Sequence, residues 1–371
     1  MDYPIRILHV VTYMGRGGLE TMLMNYYRHI DRSKVQFDFL VHRDFEADYD
    51  KEILSLGGRI YHMDRLIPWS RNYKKKLIDF FKDHSEYKIV HVHQDCLSSV
   101  ALECAKKSNI PVRIAHSHNS SQDKNLKYLI KLFYMKKIPG LATDLFACSE
   151  VAGDWMFRGH SFKILKNAID ITSYLYNPII SSKVKKDLNV EDNFVIGHVG
   201  RFNPQKNHSF LIDVFDKCKK LDESSKLILV GDGDGRKEIE EKVHSKGLDK
   251  DVIFLGVQNN VNELLQAMDV FVFPSLYEGL GISIIEAETA SLPCFISDNI
   301  PDDCIVTKGL VNKLSLNASP KMWAEEIIKK KKNKKHNTST ELKMSGYDIF
   351  DSSKQLEEFY INSYMKTLGE E

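Results

Sequence analysis

Short apolar runs rich in β-branched residues alternate along the chain with stretches whose apolar residues recur three or four apart. That rhythm predicts βα units built around parallel sheets. In the first half, the runs at 5–11 (IRILHVV), 35–41 (VQFDFLV), 59–63, 88–93 (KIVHVH), 112–117 (VRIAHS) and 144–148 predict strands. The rhythm lapses over 166–192, where turn formers and charge take over, then restarts at 194–200 (FVIGHVG), 226–231 (KLILVG), 252–256 (VIFLG), 270–275 (VFVFPS) and 293–297 (PCFIS). The lapse predicts a domain boundary. The expected fold class is α/β, with two doubly wound parallel-sheet domains in tandem over 1–170 and 171–351. A last segment, Ser352 to Leu368, carries Leu356, Phe359, Tyr360, Tyr364 and Leu368 at helical spacing, and such a stripe must dock on something.

Composition narrows the class. A length of 371 residues suits two domains with a cleft between them, and 43% hydrophobic with 28% charged residues is globular composition that excludes disorder as the main state. No run of 18 apolar residues occurs and Met1 to Arg6 leads straight into a strand pattern, so the expectation is a cytoplasmic chain that does not span a membrane. Six scattered cysteines, Cys96, Cys104, Cys148, Cys218, Cys294 and Cys304, lack the spacing of a zinc site and predict free thiols. Net charge is +1, yet residues 1–176 hold 26 Lys+Arg against 20 Asp+Glu while the remainder holds 26 against 31. The first half is thus the more attractive to anions. The run KKKKNKK at 329–335 reads as a solvated helix end or loop, since no aromatic residues are interleaved to stack on bases. Nucleic acid is not an expected partner.

Three glycine-bearing loops follow predicted strands. Gly15-Arg16-Gly17-Gly18-Leu19-Glu20 opens a helix with the stripe Leu19, Met22, Leu23, Tyr26, Tyr27 and Ile30, and amides at such a helix start attract phosphate oxygens. Its spacing is not the dinucleotide fingerprint, and a tight structural turn would use the same glycines. Gly200-Arg201-Phe202-Asn203-Pro204-Gln205-Lys206-Asn207 sets a forked cation and a point cation five residues apart at a strand end, suited to a diphosphate. The third loop, Phe273 to Ala287, places Gly281 before a helix, so that the amides of Ile282 and Ser283 can face phosphate with Glu278 and Glu286 on either side. A carboxylate beside a diphosphate needs hydroxyl groups to accept from, which points to sugar and ribose. One helix-starting glutamate would be explained by the helix dipole, but not two.

The E-x7-E motif, the G-R-x-x-x-Q-K-N loop and the early G-G-L-E loop together resemble the retaining glycosyltransferases of family 4, whose architecture is GT-B, two Rossmann-like domains. The stretches Arg113-Ile-Ala-His-Ser-His-Asn119 and Phe146-Ala-Cys-Ser-Glu150 are similar to members that build exopolysaccharide and capsule repeat units. The resemblance implies an N-terminal acceptor-binding domain over 1–170, to which a terminal helix in 352–371 crosses back, and a nucleotide-sugar-binding domain over 171–351. It further implies that Arg201 and Lys206 bind the donor diphosphate with Gly17, Gly18, Gly200, Ile282 and Ser283. Glu286 would hold ribose, and Glu278 with amides near Gly281 would hold the donor sugar. Gly231, Gly233 and the Gly256-Val257-Gln258 segment would line the nucleotide.

One histidine of this region is implied against the donor sugar, and His116 and His118 compete for that role. His91 with His93, and His116 with His118, end neighbouring predicted strands and point to the cleft if the sheet is parallel, although a histidine capping a strand is more often a structural hydrogen-bonder. The implied chemistry is transfer of a hexose or N-acetylhexosamine from a UDP-sugar to a saccharide or lipid-linked saccharide, by attack on the face the diphosphate leaves. The leaving diphosphate then takes the acceptor's proton, and neither metal nor cofactor is required. Asp232-Gly233-Asp234 belongs to the G-D-G loop rather than to a metal motif. A nucleotide-sugar hydrolase or epimerase of the same fold, or a non-catalytic nucleotide-sugar-binding subunit, remains as an alternative. Residues 124–137 (KNLKYLIKLFYMKK) set five lysines among Leu126, Leu129, Ile130, Leu132, Phe133, Tyr134 and Met135. The pattern fits a peripheral contact with the inner face of the cell membrane, or a core-facing helix with a solvated lysine side.

Overall fold

The computed structural model describes residues 4–119, 128–331 and 333–369. The chain forms two compact units, Met1–Ile169 with Asp348–Glu371, and Asp170–Tyr347.

In the first unit the strands are β1 (Ile5–Val10), β2 (Val35–Val41), β3 (Ile60–His62), β4 (Ile89–Val92), β5 (Val112–Ser117), β6 (Asp144–Ala147) and β7 (Lys163–Ile164). They make one parallel sheet in the order β3-β2-β1-β4-β5-β6-β7. Alternate residues enter different cores, as the strand period of two requires. Ile5, Ile7, Ile89 and Ile114 join Tyr26, Tyr27, Leu356 and Tyr360 on one face. Leu8, Val90, Val92 and Ala115 join Tyr73, Leu77 and Val100 on the other. The first face is covered by the helices Gly18–His29 and Ile349–Leu368.

The terminal helix therefore belongs to the first unit. Asp348 starts it by capping the Phe350 amide (2.9 Å) and lies beside Ile169 in a parallel bridge. Glu357 accepts from the Asp31 amide at 2.9 Å and pairs with Lys34 at 3.2 Å. Burying Leu356 alone contributes roughly 1.5–3 kcal/mol. Of the predicted stripe, only Leu368 fails to dock, at 54% exposure.

The second unit contains β8 (Phe194–Val199), β9 (Ser225–Val230), β10 (Val252–Gly256), β11 (Val270–Phe273), β12 (Cys294–Ser297) and β13 (Val311–Leu314), ordered β10-β9-β8-β11-β12-β13 and parallel throughout. Two strands lie outside the predicted set. β7 has two residues, and β13 (VNKL) is half-buried at the sheet's edge, so neither leaves an apolar run in the sequence.

The irregular stretch 166–192 also holds two helices, Ile171–Tyr174 and Pro178–Asp187. The Asn177-Pro178 pair that reads as a turn is a helix start. Asn177 Oδ1 accepts from the amides of Ile179 and Ile180, and Pro178 occupies the first turn, where its missing N–H costs nothing.

Candidate active site

At the C-terminal ends of β8, β9 and β10, three loops are sewn together by main-chain bonds. The Gly231 amide donates to Gly256 O (2.8 Å), the Phe202 amide to Asp232 O (3.0 Å) and the Gly235 amide to Phe202 O (3.0 Å). Gly231 and Gly233 sit at φ +130° and +155°, and a Cβ would come within 2.2 Å of Gly200 O and 2.5 Å of Phe202 O respectively. Only glycine permits both the backbone angle and this approach. Asp232 is spent locally: Oδ1 accepts from the Gly233 amide at 2.7 Å and Oδ2 faces Arg236 at 3.4 Å. Val257 is exposed beside this cradle, and Gln258 Nε2 donates back to Leu255 O at 2.6 Å.

The loop after β8 is also laced to the loop after β11. The Leu276 amide donates to Gln205 O (2.8 Å), Gln205 Nε2 to Tyr277 O (2.9 Å) and Asn207 Nδ2 to Pro274 O (3.2 Å). This lacing delivers Lys206 Nζ to Glu278 Oε1 at 2.7 Å, over the Phe273 ring at 4.5 Å. Glu278 is 6% exposed, so the pair is charge-assisted and largely screened from water. Lys206 and Glu278, read separately from the sequence as diphosphate and sugar ligands, are one unit. Arg201, by contrast, is exposed.

Gly281 at φ +81° turns the chain into the helix Ile282–Thr289, whose first amides, on Ile282 and Ser283, have no intrahelical acceptor by helix geometry. Glu286 lies one turn in, 5% exposed, and accepts from the Tyr174 hydroxyl at 2.9 Å. Burial raises its carboxyl to about 7, with the Tyr174 bond pulling the other way. Tyr174 was missed because it lies in the stretch that reads as linker. Glu288 is a second omission: fully buried, it accepts from the amides of Val306 (3.0 Å) and Thr307 (2.5 Å), and burial raises its carboxyl to about 8. It supports the fold rather than the loops. Lys335, read as part of a solvated run, instead turns its ammonium inward to Met268 O at 3.0 Å, where burial lowers it to about 7.

In the first unit, Gly17 caps the helix Gly18–His29 without a side-chain bond. His9, His91, His93, His116 and His118 all fall on the sheet face under the terminal helix, because they share strand parity with Ile7, Ile89 and Ile114. Their rings stack: His91 lies 4.3 Å from His93 and 5.2 Å from His116, and His116 lies 4.0 Å from His118. His9 Nδ1 meets His93 Nε2 at 3.0 Å, His93 Nδ1 meets His118 Nε2 at 2.9 Å, and His91 Nδ1 meets the Tyr360 hydroxyl at 2.7 Å. Burial depresses all five, His9 and His118 to about 3 and the others well below the usual value, so the stack is neutral at pH 7.

The expectation that both predicted pairs open from the strand ends fails for His91, His93 and His116, which are enclosed; only His118 is half-buried. A groove lined by Val112, Asp144, Lys163, Phe359 and Lys366 lies at the opposite, N-terminal ends of β5–β7 and contains no predicted site residue. Lys124, Leu126 and Lys127 lie outside the described residues. The helix Tyr128–Met135 buries Met135 while exposing Leu129 (75%), Ile130 (41%) and Phe133 (58%), so it both docks and presents an apolar side. All six cysteines are buried and none forms a disulfide.

Two doubly wound parallel sheets, with glycine-bearing loops at their strand ends, define a GT-B glycosyltransferase fold. Residues 16–173 match the family model described as Glycosyltransferase Family 4, and 180–346 that described as Glycosyl transferases group 1. The chain is 38% identical over 338 residues, 87% of each chain, to a Bacillus subtilis (strain 168) protein named as the glycosyltransferase EpsF. It is 26% identical over 371 residues, 96% of this chain and 99% of the other, to the capsular polysaccharide biosynthesis glycosyltransferase CapH of Staphylococcus aureus. The crystal structure of Anabaena HepE in complex with UDP and glucose superposes with a TM-score of 0.79 at 20% identity, over 96% of this chain and 100% of that one. The chain belongs to glycosyltransferase family 4.

Proposed function

We propose that this glycosyltransferase moves a hexose or N-acetylhexosamine from a UDP-sugar to a saccharide or lipid-linked saccharide acceptor in cell-surface polysaccharide synthesis, with retention and without a metal. The observation that carries the reading is the Lys206–Glu278 pair, beside the helix start at Gly281, with buried Glu286 one turn further on. In this reading Lys206 and Arg201 stabilise charge building on the leaving diphosphate, and the amides of Ile282 and Ser283 complete its cradle. Glu286 accepts from ribose hydroxyls. Glu278, held by Lys206, accepts from the donor sugar, an arrangement that favours a positioning carboxylate over a covalent nucleophile. The diphosphate itself takes the acceptor's proton on the face it leaves. Of the two candidate histidines, half-buried His118 is assigned to the donor sugar in preference to enclosed His116.

UDP is the favoured nucleotide because a solved protein of like fold was crystallised with it, and polysaccharide synthesis follows the named role of CapH. A peripheral position on the cytoplasmic membrane face, near a lipid-linked acceptor, is supported by exposed Leu129, Ile130 and Phe133, with Lys136 and Lys137 exposed just after that helix. Incubation with UDP-glucose, UDP-galactose, their N-acetyl forms and GDP-mannose, with and without acceptors, tests the reading. Transfer in EDTA with the donor's anomeric configuration kept is expected; an inverted product or strict Mg²⁺ dependence overturns it. Hydrolysis or epimerisation without acceptor would instead mark a hydrolase or epimerase, and binding without turnover a non-catalytic subunit. Replacing Leu129 and Phe133 by serine should reduce flotation with anionic vesicles at low salt, and unchanged flotation removes this helix as the anchor.

A further inference from the structure

The stacked histidines do more than one sugar contact requires. Five buried ring nitrogens, His9 Nε2, His91 Nε2, His116 Nδ1, His116 Nε2 and His118 Nδ1, find no hydrogen-bond partner among the described residues. Each unsatisfied buried polar atom costs about 1–3 kcal/mol, and His116 carries two of them at 0% exposure. One imidazole nitrogen from each of His93, His116 and His118 lies within 4.8 Å of the other two.

We propose that His93, His116 and His118 form a binding site for a divalent transition-metal ion. A set of three neutral imidazoles is borderline-soft and favours zinc among the metals available to a cell. His93 Nδ1 and His118 Nε2 already face one another at 2.9 Å. Tetrahedral coordination at about 2.0–2.1 Å needs ligand nitrogens roughly 3.3 Å apart, so this pair opens by a few tenths of an ångström and the His116 ring closes from the side. The supporting shell is present as well. His93 Nε2–H can donate to His9 Nδ1 at 3.0 Å, the outer hydrogen bond that fixes a ligating histidine's tautomer.

A second triad, His9, His91 and His93, also converges. Two observations favour the first. His118 is half-buried at the C-terminal end of β5 and gives an ion a way in, whereas His9 and His91 are sealed beneath the terminal helix. The first triad also carries three of the five unpartnered nitrogens, two on His116 and one on His118, against two in the second. The fourth position stays open to water or to an anionic oxygen. Transfer itself does not need the ion. An ion held there engages His118 and should therefore inhibit, a consequence that rests on the assignment of His118 to the donor sugar.

Titration of the metal-free protein with Co²⁺ tests the site without any turnover. Stoichiometric binding, one ion per chain, with the intense visible absorption of tetrahedral Co²⁺ and its displacement by Zn²⁺, is expected. His116→Ala and His118→Ala should each weaken binding at least about 100-fold and His9→Phe about 10- to 100-fold, whereas His91→Phe should leave it unchanged. The His118 variant, at a half-buried position, keeps the test valid if the His116 variant fails to fold. Absence of stoichiometric binding, or loss of binding in the His91 variant with retention in the His116 and His118 variants, overturns the proposal. If Co²⁺ binds as expected yet Zn²⁺ does not inhibit transfer, the metal site stands and the sugar assignment of His118 falls.

Discussion

The two units repeat one plan and fill it with opposite chemistry. Each runs its sheet outward from a central first strand, β1 or β8, in the same order, and each sets its polar groups at the strands' C-terminal ends. In the first unit those groups are imidazoles that burial holds neutral. In the second they are an ion pair, Lys206–Glu278, and a carboxyl that burial raises, Glu286. The parallel sheet decides where a ligand loop emerges, and the side chains decide which charge it can hold. The contrast can be broken or sharpened in four experiments.

The largest effect should come from acid. His9, His91, His93 and His116 have folded values well below the unfolded one, so an unfolded first unit binds protons that the folded one refuses. Their contribution is present above about pH 6.5 and is lost as pH falls, at about 1.4 kcal/mol each by pH 5.5. Glu286 and Glu288, with raised folded values, act in the other sense: their contribution is present at acid pH and is lost as pH rises through about 7 to 8. His198 and His208, also depressed, give the second unit a smaller acid loss. Hydrogen exchange followed from pH 7.5 to 5.5 should show the first unit opening before the second; the reverse order would mean the histidines are not held neutral.

Next in size is turnover. Lys206→Ala and Arg201→Ala should each lower kcat about 10²-fold or more if both face the diphosphate. Lys206→Ala also takes an ion-pair partner from the buried Glu278, and residues in direct contact couple, so the double change with Glu278→Gln should cost less than the sum of the single changes. Additive losses would separate the pair.

Smaller, and specific, is the division between the glutamates. Glu286→Gln should weaken UDP binding roughly tenfold, while Glu278→Gln spares UDP and lowers turnover; equal losses of UDP affinity would sink the assignment. Smallest is the pH dependence of donor affinity. The ionised Glu286 is the better hydroxyl acceptor, so UDP-glucose should bind up to about tenfold more tightly at pH 8 than at pH 6, and Glu286→Gln should flatten that profile. A slope that survives in the variant would place the titrating group elsewhere.

Much of the framework was legible in the chain. Interior strands such as β1, β2, β8 and β11 are apolar runs because helices cover both faces of a parallel sheet, and burial writes itself into composition. Edge strands β7 and β13 bury too little to leave that signature. The glycines at 231 and 233 stood out through the resemblance, and the structure supplies the reason: a close main-chain approach admits no other residue.

What the sequence determined by itself is thus whatever local sterics and burial impose position by position: strand and helix period, glycine loops, the amphipathic stripe of the last helix. What only the tertiary structure decided is pairing across distance. Lys206 reaching Glu278, Tyr174 reaching Glu286, His91 held under Tyr360, and the stack that joins His9 to histidines more than eighty residues away all depend on which strands lie side by side. Nothing local records those choices. Strand order is set by the sum of many weak packing contacts, and a side chain's partner, burial and protonation follow only once that sum is settled.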